Sequence, residues 1–247
     1  LGPPLLAYPG VAGTLLTAYE PQALAGDLLT IQDWSDLRDP LPVAGHPGGA
    51  LWLANIPIGG LDRIEGQLRA GGYQRVMHQY YWNPLYLDLY LQPGTRIGED
   101  LRVNGTFAGD ATQAVGWALP PAGASFAPAE GGRQLLLTNR GPSELRATQT
   151  LRAYPHRGYL VHFEAQAELQ AGAVRSFLLC EARAHRLLHV APDAQGADVP
   201  HDRAWHAVDI AVLCPAETSA LVVDLRNAGQ GIAAFRHVTL QAISLNP

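Results

Sequence analysis

Between Tyr159 and Leu169 the chain alternates without a break. Tyr159, Val161, Phe163, Ala165, Ala167 and Leu169 interleave with Leu160, His162, Glu164, Gln166 and Glu168. A side-chain repeat of two places the first set on one face of an extended strand and the second on the other. A segment written this way is half-buried and antiparallel, one face in a core and one in water. Val208, Ile210, Val212 and Cys214 repeat the pattern, as do Leu221, Val223 and Leu225. Turn residues separate these runs, and helical spacing of useful length is absent beyond residue 97. The pattern predicts an all-β, jelly-roll-like sandwich over residues 97–247.

The residues before it read differently. Leu28-Leu29-Thr30-Ile31 and Ala50-Leu51-Trp52-Leu53-Ala54 are short apolar runs of the buried-strand type, separated by a Pro/Gly-rich loop from Asp39-Pro40 to Gly48-Gly49. Leu61, Ile64 and Leu68 fall at helical spacing, with Arg63, Glu65, Gln67 and Arg69 on the other faces and Gly71-Gly72 as the stop. Strands are expected at residues 73–82 and 85–91, hinged at Asn83-Pro84. In the second, Leu85, Leu87, Leu89 and Leu91 alternate with Tyr86, Asp88 and Tyr90. This order predicts a small α/β domain over residues 1–96, with a seam from Gln92 to Gly98. The expected fold class is therefore α+β in two domains: a small α/β N-terminal domain followed by the all-β jelly-roll-like sandwich.

Composition excludes several functions. Of the 247 residues, 16% are charged and 47% hydrophobic, which suits folded globular units. A net charge of −5 without a basic cluster gives no electrostatic reason to bind nucleic acid or an anionic membrane surface. Apolar runs are interrupted every few residues, so none spans a bilayer. Cys180 and Cys214 lack metal-ligand spacing; the sequence allows a disulfide or two buried thiols equally.

Beyond Leu101 a series of motifs occurs in order: Asn104-Gly105-Thr106-Phe107, Gly116-Trp117, Ala204-Trp205-His206, and Phe235-Arg236-His237-Val238-Thr239-Leu240. The series resembles the β-sandwich carbohydrate-binding modules appended to xylanases and cellulases. Those begin with an Asn-Gly-x-Phe strand and end on a Phe-Asp-x-Val-x-Leu strand. The resemblance implies a module that grips sugars and does no chemistry on them. It also implies that Trp205 packs in the core. A structural calcium is disfavoured, because Arg236 stands where the resembled modules place an Asp, although backbone carbonyls with Asp110 remain as ligands.

A second resemblance covers residues 10–92. Gly26-Asp27-Leu28-Leu29, Ala50-Leu51-Trp52-Leu53, Leu61 to Gly72-Tyr73 and Leu85 to Tyr90 are together similar to the extracytoplasmic tail of bacterial polytopic glycosyltransferases of the dolichyl-phosphate-mannose protein mannosyltransferase type. It implies a non-catalytic region, periplasmic or at the cell surface, tethered by a membrane domain upstream of Leu1. The start at Leu1-Gly-Pro-Pro, without an initiator Met, is read as the stump of a longer chain, with a processed secretory signal as the alternative. Alternatives are a secreted carbohydrate-binding protein or accessory module of a glycoside hydrolase, and a structural or protein-interaction module.

Sugars present weakly apolar C–H faces and hydroxyl edges, so their binders combine flat aromatic rings with planar polar side chains. The expected ligand-binding set is Trp117, Arg152, Tyr154, His162, Glu164 and Gln166, with Tyr159 and Trp205 as further aromatic candidates. His162, Glu164 and Gln166 share one strand face with Glu168, opposite the apolar row. No catalytic residue, cofactor or metal site is expected. His185 and His189 lie about 13 Å apart if extended, too far to chelate one ion, and His201, Asp202 and His206 read as solvated. Glu164 and Glu168 form a same-face carboxylate pair without a local cause for separating their pKa values.

Overall fold

A computed structural model describes residues 5–8, 28–30, 49–56, 61–82, 85–95, 97–101, 103–110, 112–191 and 197–243. The chain start at residues 1–4, most of the Pro/Gly-rich loop and the Asn83-Pro84 hinge lie outside these residues. The chain divides into one compact unit of Leu1–Glu99 with Ile243–Pro247, and a second of Asp100–Ala242.

In the first unit the strands are β1 (Leu5–Tyr8), β2 (Leu28–Thr30), β3 (Ala50–Asn55), β4 (Gln74–Trp82) and β5 (Leu85–Leu91), with helix α1 (Leu61–Ala70) between β3 and β4. They form one sheet in the order β2-β1-β3-β5-β4. β1 runs parallel to β2 and β3, and β5 is antiparallel to β3 and β4. Ile64 and Leu68 of α1 pack on Leu51, Leu53, Tyr73 and Tyr90. Gly72, at φ 82°, ends the helix, and the amide of Tyr73 donates to the Leu68 carbonyl at 2.9 Å. Asp88 is fully buried on β5 and its charge is met on both oxygens. Asn55 Nδ2 donates to one at 2.6 Å, and His78 Nδ1 lies 2.5 Å from the other.

This arrangement corrects the expected fold class. Among the described residues the structure is nearly all β, with one α-helix and three sheets, and a small α/β N-terminal domain is not shown. The helical spacing at Leu61, Ile64 and Leu68 predicts one half of an α/β layering. It extends for only ten residues and covers a sheet whose other described elements are strands. One amphipathic helix of under three turns is too little to define a helical layer.

The second unit is a β-sandwich. Its strands are β6 (Glu99–Leu101), β7 (Trp117–Ala118), β8 (Ala124–Ala129), β9 (Gly132–Asn139), β10 (Leu145–Arg152), β11 (Gly158–Ala171), β12 (Val174–Glu181), β13 (Leu187–Ala191), β14 (His206–Leu213), β15 (Ala220–Asn227) and β16 (Gln230–Ile243). One sheet runs β13-β12-β15-β10-β7 and the other β14-β11-β16-β9-β8, with β6 also pairing β16. The inward rows meet in one core. Phe163, Ile210, Phe235, Leu135 and Leu137 come from the second sheet, and Ala147, Leu178, Leu221, Val223 and Leu225 from the first. The alternation of residues 159–169 thus sends Tyr159, Val161, Phe163, Ala165 and Ala167 into the core.

Three local devices hold this unit. Cys180 at the end of β12 is bonded to Cys214 just after β14, joining the two sheets with Cα atoms 5.6 Å apart. Gly105 lies so close to β16 that a Cβ there would meet the Val238 carbonyl oxygen at 1.6 Å. Asn104 beside it folds the opening segment: its Oδ1 accepts from the Ala108 amide at 2.7 Å, and its Nδ2 donates to the Ala108 and Val115 carbonyls. The Asn-Gly of the opening motif therefore has a direct steric and hydrogen-bonding cause.

Candidate functional site

The outward face of the β14-β11-β16-β9-β8 sheet collects the polar side chains. His162 and Asp209 are register partners on β11 and β14, with Nδ1 and Oδ1 2.9 Å apart. One pleat along, Glu164 accepts from Arg236 Nε at 2.5 Å and lies 3.2 Å from His237 Nδ1. Gln166 donates to the Arg203 carbonyl, and the Arg203 guanidinium reaches Glu168 at 2.6 Å. His162, Glu164 and Gln166 are thus brought together, as the strand period requires.

Arg236 and His237 both reach Glu164 because the alternation slips in β16. Phe235 and Val238 are both buried, and His237 between them takes φ 53°. An inserted residue in a strand bends it and re-aims its side chains. His237 Nε2 lies 2.7 Å from the Glu130 carbonyl, so each ring nitrogen faces an oxygen acceptor. The Arg236 guanidinium also lies 4.1 Å from the centroid of Trp205, whose ring is half-buried. Burial pushes the Glu164 carboxyl up. The hydrogen bond and charge of Arg236, followed by those of His237, outweigh it and hold the carboxyl below its ordinary range.

The other expected site residues lie elsewhere. Trp117 is 8% exposed; its ring packs on Phe107 at 5.1 Å, and its indole nitrogen donates to the Asn104 carbonyl at 2.9 Å. It is a core residue whose one polar atom is satisfied within the fold. Arg152, at the end of β10, belongs to the opposite sheet and places its guanidinium 5.2 Å from the Tyr154 ring. Tyr154 is 48% exposed. Tyr159 is buried, and its hydroxyl accepts from the Tyr154 amide at 2.8 Å. Arg152 and Tyr154 therefore form a separate pair and not part of the β11 row.

Sequence reasoning missed Arg236, His237, Asp209 and Arg203 as members of the face. Asp209 was legible, because it alternates against Val208 and Ile210. Arg236 was read only as a departure from the expected Phe-Asp, and the slip at His237 leaves no mark in hydrophobic periodicity. Trp205 was expected in the core and is half-buried beside Arg236. Among the described residues no group of three or more His, Cys, Asp or Glu side chains is placed to hold a metal ion. His206 pairs with Asp202 at 2.7 Å, and His185 with Glu181 at 3.2 Å.

The class that these observations define is a β-sandwich with one polar, aromatic-flanked sheet face. No protein-family model matches the sequence, and no curated protein matches it. Solved structures that are similar include carbohydrate-binding modules. The CBM22-1 xylan-binding domain from Paenibacillus barcinonensis Xyn10C is 10% identical with a TM-score of 0.46, over 61% of this chain and 99% of that one. The C-terminal CBM6 of LamC, a laminarinase from Zobellia galactanivorans, is 15% identical with a TM-score of 0.34, over 49% and 89%. The enzymatically active domain of bacteriophage CBA120 tailspike protein 4 is 15% identical with a TM-score of 0.46, over 58% of this chain. The chain spans about a fifth of that protein, 21% of its length. Nothing in these comparisons supports a membrane glycosyltransferase parent. No helix among the described residues is long and apolar enough to cross a membrane.

Proposed function

We propose that the sandwich is a carbohydrate-binding module that lays a glycan along the outward face of the β11 sheet without chemically altering it. The observation that carries this reading is the half-buried Trp205 ring flanked by Arg236, which is itself tied to Glu164. An indole with planar donors and acceptors around it matches the C–H faces and hydroxyl edges of a sugar. Gln166, His162 and Asp209 extend the row of hydrogen-bonding groups along the strand direction, suiting a chain more than a single monosaccharide. Arg152, on the other sheet, and Tyr154 beside it are not part of this contact.

The test is affinity electrophoresis and calorimetry against xylan, mixed-linkage β-glucan, laminarin and cellulose oligosaccharides. Trp205→Ala is expected to weaken binding of the retained glycan at least tenfold, which corresponds to about 1.4 kcal/mol. Trp117→Phe, a core change, is expected to leave affinity unchanged. Retention of full affinity by Trp205→Ala would remove the face from consideration.

An extracytoplasmic location belongs to the same proposal. It is supported by the buried Cys180–Cys214 bond, since structural disulfides persist in oxidising compartments. Tethering to an upstream membrane domain rests on the resemblance of residues 10–92 alone; hydropathy of the gene upstream of Leu1 tests it.

A further inference from the structure

A cavity of about 580 Å³ opens where β8, β9 and the turn into β10 meet, lined in part by Gly123, Ser125, Thr138, Arg140, Ser143 and Leu145. The cross-strand register sets its position. Leu145 and Val174 both pair with Asn227 at one end of β15, whereas Cys180 pairs with Leu221 toward the other. The cavity therefore sits at the opposite end of the sandwich from the disulfide, about 20 Å along the strands.

Its walls are built by specific backbone contacts. Gly123 takes φ 86°, and a Cβ there would lie 2.7 Å from Leu145 Cδ1 and 2.8 Å from the Thr138 carbonyl oxygen. The Thr138 amide donates to the Gly123 carbonyl at 2.7 Å, joining the two sides. Asn139 shapes the turn: its Oδ1 accepts from the Gly141 amide at 3.0 Å and its Nδ2 donates to the Ser143 carbonyl at 2.9 Å. The volume falls within the range of about 300–1,000 Å³ used by small-molecule sites.

The polar lining has one sign. Arg140 is exposed and has no ion-pair or hydrogen-bond partner among the described residues. The neighbouring carboxylate that would neutralise it, Glu144, is held by Arg226 at 3.2 Å. Among the described residues no Asp or Glu lines the cavity, and the hydroxyls of Ser125, Thr138 and Ser143 make no hydrogen bond. A guanidinium offers a planar fork matched to a carboxylate, and the three hydroxyls both donate and accept. Leu145 and the neighbouring apolar wall supply contact for C–H groups.

We propose that this cavity is a second saccharide site that takes an acidic sugar residue, its carboxylate on Arg140 and its ring hydroxyls on Ser125, Thr138 and Ser143. It is separate from the sheet face and does not depend on Trp205.

Calorimetric titration of the whole chain tests this with three probes: a hexuronate trisaccharide, the neutral hexose trisaccharide of the same linkage, and inorganic sulfate. The hexuronate is expected to bind and the neutral sugar to bind this site at least tenfold more weakly. Arg140→Ala is expected to reduce hexuronate affinity at least tenfold, and Arg140→Lys to fall between the two because it loses the fork. Trp205→Ala is expected to leave hexuronate binding intact. Arg140 is exposed and has no partner among the described residues, so the melting temperature of its variants should match that of the parent. Unchanged hexuronate affinity in Arg140→Ala overturns the proposal, as does loss in Trp205→Ala alone. Sulfate binding as tightly as the hexuronate overturns its saccharide part.

Discussion

Glu164 accepts from Arg236 and His237 at once, so the charge on this one carboxylate organises two neighbouring side chains of the polar face. Its pKa in the folded chain lies below the ordinary value of 4.5. The stabilisation it contributes is therefore complete above about pH 4.5 and is lost as pH falls through the folded value. Thermal melting followed from pH 7 to pH 3 should show a steeper acid loss for the parent chain than for Glu164→Gln. Parallel curves would show that the carboxylate is not coupled to folding. Tyr159 gives a second residue-scale expectation. Its buried hydroxyl accepts from the Tyr154 amide, so Tyr159→Phe should cost about 1–2 kcal/mol in denaturant unfolding. Roles of this kind were only partly legible. The two-residue period put His162, Glu164 and Gln166 on one face, but Trp117 looked the same in sequence whether core or platform. What decides it is the Asn104 carbonyl thirteen positions back, which satisfies its indole nitrogen.

Among the elements, β11 was the most legible and β16 the least. Residues 159–169 alternate over their whole length, and the observed strand is Gly158–Ala171. β16 runs from Gln230 to Ile243, yet its inward row changes parity at His237, so no single period describes it. Helix α1 was expected from Leu61, Ile64 and Leu68 and occurs at Leu61–Ala70. The layer built on it was misjudged, because one helix says nothing about how many others accompany it. The contact between Gly105 and Val238 carries its own test. Gly105→Ala must displace the Val238 carbonyl and should cost about 3 kcal/mol or more, measured by urea unfolding. A cost near zero would mean that the opening segment adjusts without disturbing β16.

At the level of the whole second unit, two sheets share one core and one covalent bond. The sequence carried the sandwich, since three alternating runs require two facing layers. It left the cysteines open, because pairing depends on Cα separation across sheets and not on spacing along the chain. The bond closes a loop with a sequence separation of 34, worth roughly 3–4 kcal/mol in the chain-entropy model. The double variant Cys180→Ala, Cys214→Ala should lose about that much stability, with the same far-ultraviolet spectrum at room temperature.

The placement of this bond has a mechanical corollary. The sheets are riveted at one rim, while the opposite rim is clasped by the amides of Asn139 and Asn227, the first donating to the Asn227 carbonyl at 3.4 Å and the second to the Leu137 carbonyl at 2.7 Å. Reduction of the bond is therefore expected to act at the end of the sandwich away from Arg140, and titrating the hexuronate with and without a thiol reductant checks that its affinity is unchanged.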